Sequence, residues 1–156
     1  MKNEYVTYGF GNIIDKSKIE TNLAPRIYAN KPLSAWWGSP INATYGWKEF
    51  CLGNEFKTPS YFATGNRVKW TLDGKIFVIN SEDDLQDAKD NNLMKYYKNY
   101  NCFCFDFIKM KDNGYDAIEL KAYYIGHNPY GDLAASLWGW DCESIVVLNP
   151  DKIEFL

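Results

Sequence analysis

Histidine and arginine are nearly absent from this chain of 156 residues, which holds one histidine, His127, and two arginines, Arg26 and Arg67. Nucleolytic chemistry that needs two histidines is therefore excluded. A Ser-His or Cys-His nucleophile pair has only one candidate base. Glycine-rich phosphate loops are missing as well, because Tyr8-Gly-Phe-Gly-Asn lacks the third glycine of a dinucleotide fingerprint.

Basic residues are not concentrated anywhere in the sequence. The formal net charge is −3 at pH 7, and no run of five or more basic residues occurs. Binding to a phosphate backbone depends on clustered lysine and arginine side chains, so nucleic acid is not expected as the main partner.

Cysteine pairs and long apolar runs are also missing. Cys51, Cys102, Cys104 and Cys142 form no Cys-x-x-Cys motif, so no metal site is expected. No run approaches the 18 apolar residues of a membrane span, and the N-terminus lacks the apolar segment of a secretion signal. We therefore expect no membrane partner, a cytoplasmic location and reduced thiols.

Aromatic residues, in contrast, are abundant. Twelve Tyr, nine Phe and six Trp make up 17% of the chain. A small domain cannot bury all of these rings in one core, so we expect some of them to line a groove or an interface. Trp36 and Trp37 are adjacent in a short β-prone run and must face opposite sides of a strand.

The remaining pattern mixes short strands with short helices and contains no repeat or linker, which predicts a single α+β domain over residues 1–156. One helix is expected after Asn42 or Thr44, with Gly53 as its stop, and another after Ser81. Asp73-Gly74 between two β-rich runs predicts a two-residue hairpin. Residues 121–139 read as a loop, and the expected strands are 4–10, 33–40, 115–120, 144–150 and 152–156.

Residues 102–112 fit two patterns. Alternation of Cys102, Cys104 and Asp106 with phenylalanines is typical of a strand, whereas Phe103, Phe107 and their neighbours also recur at helical spacing. Asn101 as a cap and Asn113-Gly114 as a stop favour the helix over 102–112, with the strand as the alternative.

Four segments, taken in order, resemble an ADP-ribosyltransferase-like domain. They are VTYGFGN, KPLSAWWGSPINATYGWKEFC, NGYDAIEL and WDCESIVVLNPDKIEF. Domains of this family carry an aromatic, His or Arg residue beside a glycine on the first strand. A strand ending in Ser or Thr follows, and near the end an acidic turn precedes a strand. The resemblance implies split, mostly antiparallel β-sheets with short flanking helices.

The resemblance also implies an activity, the transfer of ADP-ribose from NAD to a macromolecular acceptor, which is a protein or a nucleic acid, with protein favoured. Breaking the bond between nicotinamide and ribose passes through a cation-like transition state, which a nearby carboxylate stabilises. By the family pattern, Glu143 is that carboxylate and Asp141 tunes or orients it. A small protein with this activity would suit a phage effector or an intracellular toxin.

The other expected site residues follow from the same resemblance. Ser39 would bond Glu143 and fix its rotamer, and Tyr8-Gly9 would hold nicotinamide and ribose. Trp37 or Tyr45 would stack on a flat ring. Arg26 is a candidate for the pyrophosphate, with a surface salt bridge as the favoured alternative.

Two alternatives stay open at this level. Asp141 and Glu143 also fit a pair of solvated carboxylates at a strand entry. Neither His nor Arg stands beside Gly9, which departs from the family pattern. That departure favours a non-catalytic binding or inhibitory protein with an aromatic-rich interface.

Overall fold

The computed structural model describes residues 2–12, 14–121 and 132–156. It confirms the α+β class, since most elements are strands in antiparallel sheets with short helices around them. None of the described helices has the length and apolar character that crossing a membrane requires. The expected loop at 121–139 is described only from 132 onward, where a short helix lies, and His127 lies outside the described residues.

The described elements follow one another as short segments of three to nine residues. In chain order they are β1 (Glu4–Tyr8), β2 (Asn22–Arg26), β3 (Lys31–Ser34), β4 (Trp36–Pro40), α1 (Trp47–Gly53), β5 (Arg67–Leu72), β6 (Ile76–Ile79), α2 (Glu82–Asp90), β7 (Met94–Tyr97), β8 (Cys102–Phe105), α3 (Phe107–Asp112), β9 (Ala117–Leu120), α4 (Asp132–Ala135), β10 (Ser144–Val147) and β11 (Ile153–Phe155).

Seven strands form the main sheet in the order β11-β5-β1-β4-β10-β9-β6. Every neighbouring pair is antiparallel except β6 and β9, which are parallel. Two further hairpins, β2-β3 and β7-β8, lie outside this sheet. The strands expected at 4–10, 115–120, 144–150 and 152–156 are present in shorter form. The strand expected at 33–40 is divided, because residues 33 and 34 belong to β3 of the β2-β3 hairpin and only 36–40 form β4.

The two faces of the main sheet bury two separate apolar clusters. Ile145 and Val147 of β10 contribute to one cluster, and Val146 between them contributes to the other, as strand alternation requires. Trp36 is 4% exposed and belongs to the first cluster, whereas the half-buried Trp37 packs against the second. The expectation that these two rings face opposite sides is confirmed.

The predicted hairpin at Asp73-Gly74 is wrong. β5 pairs with β1 and β11, whereas β6 lies at the far edge of the sheet beside β9. Contacts distant in sequence redirect the chain here: the Asp73 N–H donates to the Lys152 carbonyl (2.9 Å), and the Lys75 N–H donates to Asp116 Oδ2 (2.9 Å). A Cβ on Gly74 would lie 2.5 Å from Asp116 Oδ2, so glycine serves this close approach instead of a hairpin turn.

The helix predicted over 102–112 is half right. β8 occupies Cys102–Phe105 because this segment pairs with β7, and α3 begins only at Phe107. Asp106 is the N-cap, accepting from the Lys109 N–H, so Asn101 does not cap this helix. Local periodicity could not separate the two because a strand and a helix follow each other within one short segment.

Of the other two predicted helices, α2 begins where the sequence predicts and α1 does not. α2 begins after Ser81 as expected, with three acids in its first turn. α1 begins after Gly46, so neither Asn42 nor Thr44 is its cap. The first N–H groups of α1 are satisfied from elsewhere: Glu49 Oε2 accepts from Gly46 N–H, and Ser39 Oγ accepts from Trp47 N–H.

Candidate functional site

A cavity opens where β1 and β4 part from each other. The two strands pair only at Tyr5–Pro40 and Val6–Ser39. β1 then continues along β5, while the other half of β4 pairs with β10. The cavity at this divergence has a volume of about 340 Å³, within the range of small-molecule sites.

A threonine hydroxyl closes the gap at the point of divergence. Trp70 Nε1–H donates to Thr7 Oγ1 (2.9 Å), and the same hydroxyl donates to the Trp37 carbonyl (2.6 Å). Thr7 is buried, so these bonds replace the backbone ladder that the two strands no longer form. Thr7 therefore links β5 to β4 beside the cavity, through Trp70 and Trp37.

Aromatic residues make up much of the cavity lining. They are Tyr8, Phe10, Trp36, Trp37, Trp47 and Trp140. Trp37 and Trp140 meet edge to face with centroids 5.1 Å apart, and Trp140 is fixed by its indole N–H, which donates to the Asn30 carbonyl (2.8 Å). Such walls suit a flat ring as ligand.

Two oppositely charged side chains share the wall. Asp141 lies where the chain enters β10, and Lys31 lies at the start of β3. Burial lowers the pKa of Lys31, and the charge of Asp141 opposes that shift. The Lys31 Nζ stands 5.5 Å from the centroid of the Trp37 ring. The wall can therefore meet both an anion and a cation.

The Cys142 thiol belongs to the same wall but is not activated. Burial, with the charge of Asp141, raises its pKa to about 12. Because the thiolate is the nucleophile in cysteine chemistry, such a thiol is a poor candidate for covalent catalysis. Cys142 acts as a small apolar wall residue.

Ser39 and Glu143 meet, but not in the expected way. Ser39 Oγ donates to the backbone carbonyl of Glu143 (2.9 Å), whereas the carboxylate Oε1 accepts from Tyr45 N–H (2.9 Å). The Glu143 N–H also donates to the Tyr45 carbonyl (2.9 Å). Glu143 therefore braces the turn that leads into α1, and its side chain is not part of the cavity wall.

The predicted site residues divide into three groups. Tyr8, Trp37, Ser39 and Asp141 line the cavity. Glu143 and Tyr45 lie outside the wall and are connected to it by Ser39. The Ser39 hydroxyl donates to the Glu143 carbonyl, and the Glu143 carboxylate accepts from the Tyr45 N–H. Gly9 and Arg26 are not in the wall.

Gly9 serves a contact within the protein. Its φ is +96°, and a Cβ there would lie 2.2 Å from Tyr61 Oη, so the close approach is to Tyr61. Arg26 is exposed, and its Nη2 donates to the Leu33 carbonyl at the limit of hydrogen bonding, 3.5 Å. The cation of the wall is Lys31 instead. No local pattern marked this lysine, because it reaches the cavity only through the β2-β3 hairpin.

Within residues 2–12, 14–121 and 132–156, no group of three or more His, Cys, Asp or Glu side chains is arranged to hold a metal ion. Comparisons with protein-family models, with curated proteins and with solved structures find no match.

Proposed function

We propose that the cavity binds NAD and that the protein transfers its ADP-ribose to a macromolecular acceptor. One observation carries the proposal: a carboxylate, Asp141, and several flat aromatic walls meet where two strands diverge. The divergence of β1 and β4 also supports an ADP-ribosyltransferase-like split of the sheet. Tyr8, Trp37, Ser39 and Asp141 come from three of the segments that carry the resemblance.

The reaction needs little from the protein beyond orientation and electrostatics. The bond between ribose C1′ and the nicotinamide nitrogen breaks, and its electron pair leaves with nicotinamide. A nucleophile of the acceptor then bonds C1′ and loses its proton. A carboxylate beside the ribose stabilises the positive charge that develops in the transition state.

We assign this electrostatic role to Asp141, because it lines the cavity. Glu143 acts as a positioning residue. Its carboxylate accepts from the Tyr45 N–H, its own backbone N–H donates to the Tyr45 carbonyl, and this turn leads to Trp47 in the wall. This reverses the order of importance that the family pattern implies for the two acids. Trp37 and Trp140 would hold the nicotinamide ring.

A second candidate is a binding protein without turnover. The engagement of the Glu143 carboxylate by the Tyr45 N–H favours it, since a bonded carboxylate is less available to a substrate. The missing His or Arg beside Gly9 points the same way. Such a protein would hold the nucleotide or a partner's aromatic side chain in the same cavity.

Thermal melts with and without NAD, and nicotinamide release in the presence of cell lysate as acceptor source, test the proposal. NAD should raise the melting temperature, because a ligand of the native state stabilises it. Asp141→Asn should lower release by about 10²–10³-fold with little change in NAD affinity. Glu143→Gln, which keeps an oxygen for the Tyr45 N–H, should retain most of the activity.

Asp112→Asn, an exposed acid at the end of α3, controls for the loss of one charge. A loss of release in Glu143→Gln with none in Asp141→Asn would restore the order implied by the family. NAD binding without release in any form would favour the binding protein. A melting temperature that NAD leaves unchanged would remove both NAD-based readings.

A further inference from the structure

Lys31 is the basic side chain among the described residues that line the cavity. In the described part of the chain the ion pairs are those of Lys2 with Asp73 and Glu154 and of Lys95 with Asp106. Lys31 lines the cavity, and no carboxylate oxygen among the described residues lies within 4.0 Å of its Nζ. Its ammonium therefore stands in an aromatic cavity without a close counter-ion from these residues.

The position of Lys31 is fixed by backbone structure. It opens β3 and pairs with Arg26 across the β2-β3 hairpin, and the next residue, Pro32, is buried. Its Nζ lies 5.5 Å from the Trp37 ring, which is itself packed on Trp140. A half-buried ammonium is costly without a partner, because desolvation disfavours the charged form. Burial accordingly lowers the pKa of Lys31.

Asp141 is not a close counter-ion for the Lys31 ammonium. It shares the wall and its charge favours the protonated lysine, yet it makes no ion pair with Lys31 within 4.0 Å. Two separated charges of opposite sign in one aromatic cavity match a ligand that carries both signs. A nicotinamide nucleotide does so, with a cationic ring and an anionic phosphate.

We propose that Lys31 is the anion-binding residue of the cavity and that it selects phosphorylated over unphosphorylated nicotinamide ribosides. The choice of ligand rests on the proposed function, whereas the anion site rests on the cavity alone. Lys31 contacts the phosphate as a point charge and takes no part in bond breaking. Arg26, which is exposed and pairs with Lys31 across the hairpin, is not required.

Binding of three probes to the intact protein tests this: nicotinamide riboside, nicotinamide mononucleotide, which adds one phosphate, and ADP, which has phosphates but no nicotinamide. Wild type should bind the mononucleotide about 10- to 100-fold more tightly than the riboside, as a charge-assisted contact allows. Lys31→Met should abolish that preference, because it should weaken binding of the mononucleotide far more than binding of the riboside. Lys31→Arg should keep it, and rising salt should weaken it in wild type.

Lys57→Met is the matched control, because Lys57 is exposed and its Nζ stands over another ring, that of Tyr61, at 4.7 Å outside the cavity wall. This variant should bind all three probes as wild type does. Lys31→Gln provides a second neutral variant should Lys31→Met fold poorly.

The outcomes separate this proposal from the proposed function. NAD turnover with an unchanged mononucleotide preference in Lys31→Met would overturn the anion site and leave the transferase standing. Binding of ADP that depends on Lys31, with no nicotinamide compound bound, would support the anion site and count against the transferase. Equal losses for riboside and mononucleotide would reveal a merely structural lysine. No binding of any phosphorylated probe at millimolar concentration would overturn the proposal.

Discussion

The two ends of the β1-β4 contact use the same residue types for different purposes. At the closed end the strands are paired, and the Tyr5 and Trp70 rings lie 4.9 Å apart, both at most 1% exposed. At the open end the strands diverge, and Tyr8 and Trp37 border a cavity while remaining half-buried. An aromatic residue lies in the core where β1 and β4 are paired and in the cavity wall where they diverge.

The boundary between the two ends is also chemically distinct. Trp70 lies across β1 and reaches β4, where a Cβ on Gly38 would come within 2.6 Å of its Cζ2. Its indole N–H and the Trp37 carbonyl are both satisfied by Thr7. Substitutions on the closed side should therefore cost stability, and those in the cavity wall should cost binding.

The largest effect is expected at Trp70. Trp70→Ala should lower the free energy of unfolding by about 3–5 kcal/mol, because it empties a fully buried site beside Tyr5 and Gly38. Trp47→Ala at the cavity mouth, where the ring is 39% exposed, should cost much less. Denaturant unfolding of both variants measures the difference. Equal losses would contradict the distinction between the two ends.

A smaller effect is expected at Thr7. Thr7→Val keeps the shape but leaves the Trp70 N–H and the Trp37 carbonyl without their partner, which should cost about 1–3 kcal/mol. Thr71→Val is the matched control, since the buried Thr71 makes only a 3.4 Å bond to Glu154 Oε2. A Thr7→Val variant as stable as the control would show that the hydroxyl does not hold the divergence.

The same contrast explains what the sequence could and could not predict. Alternation and turn residues located most strands, because those signals are local. Strand pairing was not predictable from local signals. The Asp73-Gly74 turn connects β5 and β6, which lie at different places in the sheet. Hydrogen bonds to Lys152 and Asp116, both distant in sequence, fix this arrangement. The start of α1 was missed for the same reason, since a serine on β4 accepts one of its first N–H groups.

The site shows the same limit. The order of short motifs singled out Tyr8, Trp37, Ser39 and Asp141, which do line one cavity. Two-residue spacing could not divide the roles of Asp141 and Glu143, because the partner of the Glu143 carboxylate is the backbone of Tyr45, far away in sequence. A lone lysine before a proline gave no signal at Lys31.

The smallest expected effect on stability concerns Glu119, a buried acid that contacts Tyr5 at the closed end. It is 1% exposed on β9 and accepts from Tyr5 Oη (3.1 Å). Burial raises its pKa and the Glu143 charge adds to the shift, while the Tyr5 hydrogen bond and Lys121 oppose it. In the folded state Glu119 therefore holds its proton to a higher pH than in the unfolded chain, where the value is about 4.3.

The sign of the pH dependence follows from that difference. Between the unfolded and the raised folded pKa the folded state binds more protons, so this contribution to stability is full below about pH 4.3 and falls as pH rises. Glu119→Gln cannot ionise and still offers an oxygen to Tyr5, so its stability relative to wild type should increase from pH 4 to pH 7. Unfolding by denaturant at several pH values measures this, with the exposed Glu20→Gln as control. Parallel profiles for wild type and Glu119→Gln would mean that burial of this carboxylate carries no cost, and the opposite slope would mean that Lys121 and Tyr5 outweigh burial.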